Sequence, residues 1–451
     1  MIRLLESVNA VLWGLPVLLL ITGVGIYLSL QSGFVQIRWF PKALRHFLNS
    51  LKVRPQGNCK VSGYRALCTA LAATVGTGNL AGVAGAIAVG GPGVIFWMWM
   101  SGILGMVIKF AEVVLAMHFR RKNSAGELIG GPMYMIQDGL PKKYRYLAYI
   151  YCFFGVIASF GIGNGTQVNA VIGGIQSILS ENGIMHSGIR NLIIGAALGI
   201  IVLTAFRGGA SGIGSFTELL VPFAAVLYIL LSIGVLIFRR DCLPEAISAI
   251  FTGAFSPKAV TGGMIVSVFQ VIRVGTARGL FTNEAGMGTA SIAHACADID
   301  KPLMQGLLGI MEVFIDTILI CTLTALVILC SGVPIAFGSD AGITLTMDAF
   351  SSVYGSWILI PVTVAVCLFA FATILGWGLY GSRCAQYLFG EGIWKVYVGL
   401  QVIVVVLGSV INTSTVWLLS EIVNALMVIP NLIAIAWLSP IFIAKIKEHK
   451  F

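Results

Sequence analysis

Eleven apolar runs, each about the length of a bilayer crossing, constrain this chain more than any other feature. A membrane-spanning helix needs about 20 mostly apolar residues. Such runs fall near 10–31, 62–90, 94–119, 146–180, 188–206, 216–238, 259–297, 303–331, 352–383, 393–411 and 416–444. Hydrocarbon offers the backbone no hydrogen-bond partners, so each run must satisfy its own N–H and C=O groups as a helix. The expected class is an all-α polytopic membrane protein set in a lipid bilayer. Charged residues make up only 10% of the 451 and hydrophobic ones 58%. A water-soluble domain carries about 25% charged residues. The nine Cys show no C-x-x-C pair and no Cys/His ligand spacing, which argues against a disulfide framework or a zinc site. No basic region precedes the first run and no A-x-A cleavage signal follows it, so it reads as a retained span.

The net charge of +10 lies in the connections between runs. It therefore reads as topology, and no nucleic-acid partner is expected. Arg38, Lys42, Arg45, Lys52, Arg54, Lys60 and Arg65 follow the first run; Arg120, Arg121, Lys122, Lys142, Lys143 and Arg145 follow the third. With eleven spans, both loops and the tail with Lys445, Lys447 and Lys450 share one side. That side holds about 20 of the 28 Lys and Arg against about five opposite, so it is expected to be cytoplasmic, with the N-terminus outside. The stretch from Arg38 to Leu51 alternates basic and apolar residues, as an interfacial amphipathic helix or a solvated loop would.

Several runs exceed the minimum, notably 62–90, 146–180 and 259–297. Long spans tilt or break. The first contains Ala72-Ala73-Thr74-Val75-Gly76-Thr77-Gly78-Asn79, poor helix sequence. The last contains Val274-Gly275-Thr276-Ala277-Arg278-Gly279 and then Thr282-Asn283-Glu284-Ala285-Gly286. Val-Gly-Thr recurs at an offset of 199, and each copy opens a group of five spans. Five is odd, so the second group starts in the opposite orientation. This is the inverted-repeat plan of many secondary transporters, in which paired broken helices mark the binding site. An unwound stretch frees N–H groups that suit a carboxylate and carbonyls that suit a cation. The division expected is an extra helix and basic loop over 1–61, one five-helix repeat over 62–258 and an inverted one over 259–451.

Gly90-Gly91-Pro92-Gly93-Val94-Ile95-Phe96-Trp97-Met98-Trp99-Met100 and Gly279-Leu280-Phe281-Thr282-Asn283-Glu284-Ala285-Gly286-Met287-Gly288 resemble the signatures of the alanine or glycine:cation symporter family. Val94 stands where a small Gly or Ala is expected. The resemblance covers nearly the whole chain. It implies a LeuT-like fold of ten core helices in two inverted repeats plus one extra helix, placed at the N-terminus by the span count. It also implies sodium-coupled uptake of alanine or glycine across the cell membrane of a prokaryote, with protons replacing sodium in some members, and no organic cofactor.

The resemblance also suggests site residues. Thr74-Val75-Gly76-Thr77-Gly78-Asn79 is similar to the break in LeuT-type first core helices. It implies that amides near Thr77 and Gly78 receive the substrate carboxylate and that the Ala72 and Val75 carbonyls face sodium. Asn79 falls where some relatives place a ligand for another sodium; its plain alternative is a cap on the restarting helix. Gln167 is long enough to reach a substrate amine or carboxylate, or to bond between helices. Ala370 and Thr373 match the spacing of sodium ligands in LeuT-type eighth core helices. Phe269 and Trp377, with Gly275 and Thr276, would wall a compartment sized for a methyl side chain.

Charged residues inside the runs include Lys109, Glu112, Glu218, Arg273, Arg278, Glu284, Glu312 and Asp316. Each costs roughly 2.5–3.5 kcal/mol at the bilayer centre if unpaired, so pairing is expected. Glu312 and Asp316 share a helical face and want a cation, with Arg278 and Lys109 the candidates. No pore loop or charged ring favours a channel. No H-E-x-x-H, His cluster or G-x-S-x-G favours an enzyme. A transporter of another solute on the same fold is the remaining alternative.

Overall fold

The computed structural model describes residues 2–52, 61–181, 183–185, 187–256, 267–338, 342–411 and 413–448. Arg54, Lys60, Lys450 and the opening of the 259–297 run lie outside the described residues. Eight helical stretches among those described are long and apolar enough to cross a bilayer, or nine with the bent pair Gly63–Thr74 and Gly78–Gly90. The remaining runs correspond to Leu15–Gln31 and to the pair Val268–Asn283 and Thr289–Ala295. In their described residues all eleven apolar runs are thus mainly helical, in chain order.

Two runs are broken and two are only bulged. The first break turns the chain by 48° between Gly63–Thr74 and Gly78–Gly90. Val75 is extended there, and a π-helical turn over Gly78–Gly82 restarts the helix. The second break separates Val268–Asn283 from Thr289–Ala295. The long 146–180 run stays one span, with a π turn at Gly161–Gly165 absorbing its Gly-rich stretch. A longer π segment, Phe314–Cys321, interrupts the span from Pro302 to Ser331. Such bulges often sit at functional sites.

The Val94–His118 helix is the buried axis. In its most apolar window 83% of residues are buried, against 28% for Gly209–Phe238. The outward residues of the latter, including Leu219, Phe223, Leu230 and Ile237, are apolar and exposed. Apolar residues facing outward are at home in lipid, not water. Close approach around the axis depends on glycine. A Cβ at Gly279 would strike Ser101 Oγ and lie 3.2 Å from Met98 Cα. One at Gly306 would lie 2.5 Å from the Phe110 ring. Small residues at helix crossings let backbones meet where lipid supplies no hydrophobic drive.

At the basic side, Phe40–Ser50 is an amphipathic helix, so the helical alternative for 38–51 holds. A two-residue hairpin pairs Arg121–Lys122 with Leu128–Ile129. Glu127 from its turn meets Arg383 at 3.0 Å.

Gly279→Ala is expected to lower the thermal stability of the purified protein by about 1–3 kcal/mol, the usual cost of overpacking. Adding Ser101→Ala should recover part of the loss by removing the struck hydroxyl. A double variant no more stable than Gly279→Ala would show that the crossing does not depend on this contact.

Candidate functional site

The first break is built from the end of the Gly63–Thr74 helix. Helix termini leave their last carbonyls without intrahelical partners. Leu71 O accepts from Val75 N–H, and Ala72 O accepts from the Thr373 hydroxyl at 2.8 Å. Thr373 belongs to the Leu359–Phe389 helix, 301 residues along the chain. Its Oγ also lies 2.7 Å from where a Gly76 Cβ would stand, so only glycine fits at 76. Thr77 donates its hydroxyl to Gln167 Oε1 at 3.2 Å, and Gln167 Nε2 donates to Ile162 O at 3.0 Å. Gly78, just beyond, is only partly buried.

Asn79 ties this break to the π segment. Its Oδ1 accepts from Gly76 N–H at 2.8 Å, and its Nδ2 donates to Asp316 Oδ1 at 2.6 Å. Asp316 Oδ2 accepts from Thr317 Oγ at 2.7 Å, and Thr317 Oγ accepts from Asn283 Nδ2 at 3.0 Å. Asn283 Oδ1 then accepts from Ala285 N–H at 2.9 Å. A continuous relay of hydrogen bonds therefore joins the first break, at Gly76, to the second, at Ala285.

The second break lies over Glu284–Gly288. Glu284, Gly286 and Gly288 all have positive φ, at 55°, 90° and 75°. This turns backbone amides toward one point, as in an anion-binding nest. The nest is filled by the protein itself: Glu112 Oε1 accepts from Gly286 N–H at 2.8 Å, Gly288 N–H at 3.2 Å and Asn431 Nδ2 at 2.8 Å. Glu284 accepts from Trp377 Nε1 at 2.7 Å and from Thr289 Oγ at 2.6 Å. Nearby, Lys109 Nζ lies 3.2 Å from Glu312 Oε1, and both side chains are fully buried. Glu312 Oε2 faces His294 Nε2 at 3.1 Å. Gln305 Nε2 reaches His294 Nδ1 at 2.6 Å and Gly63 O at 3.1 Å. That arrangement makes Nδ1 the acceptor and directs the Nε2 hydrogen at Glu312.

The sequence-derived residues divide into two groups. Ala72, Val75, Thr77, Gly78, Asn79, Gln167 and Thr373 gather around the first break, and Ala370 lies buried one helical turn before Thr373. Trp377 is buried on the same helix, with its Cβ pressed on Gly163 and its indole on Glu284. Gly275 and Thr276 lie apart. They sit inside the continuous Val268–Asn283 helix, with the break about ten residues later. A Cβ at Gly275 would strike Val94 O and lie 2.8 Å from Trp97 Cβ, so this glycine serves helix packing. Phe269 is 54% exposed in the first turn of that helix, ~20 Å along the axis from Thr282. The recurrence of Val-Gly-Thr drew attention to 275–276, whereas the conformation is set by Gly286 and Gly288, which supply the positive φ. Of the two cations weighed for Glu312 and Asp316, Lys109 pairs with Glu312; Arg278 pairs with Glu421 at 3.0 Å, and Asp316 is held by Asn79 and Thr317.

A model of the sodium:alanine symporter family matches residues 1–450. The chain belongs to that family. It is 39% identical to the sodium/alanine symporter AgcS of Methanococcus maripaludis, over 99% of this chain and 96% of the relative. An uncharacterized transporter of Haemophilus influenzae is 41% identical, over 99% and 95%. The crystal structure of MhsT in complex with L-phenylalanine superposes with a TM-score of 0.62 at 15% identity, covering 83% of this chain and 88% of the other. That likeness concerns the fold, which is LeuT-like. The chain is therefore a cation-coupled amino-acid symporter of the membrane, and not an enzyme.

Sequence reasoning on this symporter named Thr282 and Asn283 only as part of the second break segment, and it did not single out His294 or Asn431, each a polar residue in an apolar run. Thr282 Cγ2 lies 3.4 Å from where a Gly78 Cβ would stand, so the second broken helix flanks the first at that point.

Lys109→Met leaves Glu312 buried without its cation. Breaking such a pair from one side costs about 3–5 kcal/mol. The double variant Lys109→Met/Glu312→Gln keeps an acceptor for His294 and removes the charge. It should recover most of the loss in thermal unfolding of the purified symporter. A single variant as stable as wild type would show that the pair carries no such energy.

Proposed function

We propose that this symporter carries alanine or glycine into the cell together with sodium, by alternating access between two inverted repeats spanning 62–258 and 259–451. The observation that carries the reading is the Thr373 hydroxyl on the Ala72 carbonyl at 2.8 Å, beside Gly76. Oxygen donors from the two repeats meet there. Sodium, as co-transported cargo, would take the Ala72, Val75 and Ala370 carbonyls and the Thr373 hydroxyl. Small hard cations favour such neutral and anionic oxygens, as calcium and magnesium do. An ion held by both repeats bridges the parts that move, so its binding biases the conformational equilibrium. Asn79 is left out of the first-choice ion shell, because its Oδ1 is occupied by Gly76 N–H.

The substrate carboxylate would dock on the amides near Thr77 and Gly78, with Gln167 beside it. Close packing of Trp377 on Gly163 limits space and supports a small side chain. Phe269, Gly275 and Thr276 are not included, for the reasons of position given above. The sodium/alanine symporter named among the relatives supports both the ion and the amino acid. The Lys and Arg asymmetry supports a cell membrane location with the C-terminus inside. The rival is proton drive or another small solute at the same site.

Sodium titration of alanine uptake into proteoliposomes tests the ion site. Thr373→Ala should raise the half-saturating sodium concentration several-fold, with Thr373→Ser near wild type. Equal values in all three would remove Thr373 from the site, and full uptake on a proton gradient without sodium would remove sodium. Separately, Gly78→Val should abolish alanine binding by calorimetry while the protein inserts normally, since a β-branched side chain crowds the docking backbone.

A further inference from the structure

A hollow lined by no residue of either break lies at the ends of three helices. The Leu15–Gln31 helix ends beside the Phe40–Ser50 helix and the last turns of Thr413–Glu448. Between them is a cavity of about 680 Å³. That volume falls within the ~300–1,000 Å³ of small-molecule sites. Three cations line it, Arg38, Lys42 and Lys447, and no carboxylate does. Arg38 is fixed at its edge: its guanidinium donates to Ser32 O at 3.3 Å, just after the helix end. Lys42 Nζ stands 5.6 Å over the Trp39 ring, which is itself buried.

The cavity sits where apolar helix gives way to charge. The Leu15–Gln31 helix carries no charged residue, and the final helix turns basic only from Lys445. Leu30, Ile443 and Ile446 form the apolar side of the cavity. Ile37, Leu44 and Leu48 are exposed on the adjoining segment at 58%, 38% and 47%. Exposed aliphatic residues beside exposed lysines, with a Trp between, describe an element lying in the membrane interface. A charge-selective pocket at that depth meets phosphate headgroups and the first part of acyl chains together.

We propose that Arg38, Lys42 and Lys447 form a specific binding site for the phosphate headgroup of an anionic phospholipid, with its acyl chains running along Leu30, Ile443 and Ile446. Basic pockets between membrane helices at this level select acidic lipids in this way. The apolar wall decides for a lipid over a free phosphate ion, which would gain nothing from it. The lipid would clamp the extra N-terminal helix to the final helix, two elements outside the broken pair. The proposal stands whichever amino acid or cation is carried.

The test is native mass spectrometry of the full-length symporter in neutral detergent, titrated with phosphatidylglycerol and, separately, phosphatidylcholine. Wild type should retain one phosphatidylglycerol in preference to phosphatidylcholine. Lys42→Ala/Lys447→Ala should weaken that binding at least about tenfold. Lys142→Ala/Lys143→Ala removes the same charge from another exposed basic loop and should leave it unchanged. Lys447→Ala alone, in the exposed last turn, should give an intermediate loss should the double variant fold poorly. Equal retention of phosphatidylcholine, unchanged binding in the Lys42/Lys447 variants, or an equal loss in the Lys142/Lys143 variant would overturn the proposal. So would displacement of the lipid by millimolar inorganic phosphate.

Discussion

A polar group without a partner in hydrocarbon costs several kcal/mol, and this constraint governs the architecture. Two helices are broken inside the membrane, so their released amides and carbonyls need partners. The relay Gly76–Asn79–Asp316–Thr317–Asn283–Ala285 partners one amide at each break, with every link between 2.6 and 3.0 Å, and Thr373 partners the Ala72 carbonyl. Asp316 is central because a carboxylate accepts from both sides at once, from an amide and from a hydroxyl. The π turn that carries it, Phe314–Cys321, shifts the register of its helix at the level of both breaks.

The second break adds a charge to the same logic. Three positive-φ residues create a nest of amides, and Glu112 of the buried axial helix occupies it. Lys109, one turn earlier, pairs with Glu312 on the neighbouring helix. The axial helix thus holds the unwound stretch Glu284–Gly288 through one carboxylate and the helix after it through one ammonium. Neither pair is exposed, so water cannot replace either partner. The two breaks therefore share one chain of hydrogen bonds. Thr373 on Ala72 adds a direct contact between the Leu359–Phe389 helix and the first break.

The extent to which the site was legible differs residue by residue, for reasons of distance and conformation. Gly76, Thr77 and Gly78 announce themselves because three weak helix formers in an apolar run have few other uses. Thr373 and Gln167 were found by resemblance, and the structure sets both against that break. Gly275 and the glycines at 286 and 288 differ because glycine serves two ends in membrane helices: it permits unwinding, and it permits close packing. At 275 it packs against Val94 and Trp97; at 286 and 288 it adopts positive φ. Phe269 is 54% exposed, a direction that an aromatic in an apolar helix does not reveal in sequence.

The sequence by itself determined the membrane class, the eleven spans, the first break and the oxygen-rich residues around it. These follow from local properties: the length of apolar runs, helix propensity and the cost of charge in lipid. Only the tertiary structure decided which part of the 274–286 stretch unwinds, which cation answers which carboxylate, and that Asn79 and Asp316 join the two breaks. Those outcomes depend on contacts between residues up to 319 positions apart along the chain. In hydrocarbon the partner of a buried polar group is set by which helices lie side by side, and no local pattern contains that information.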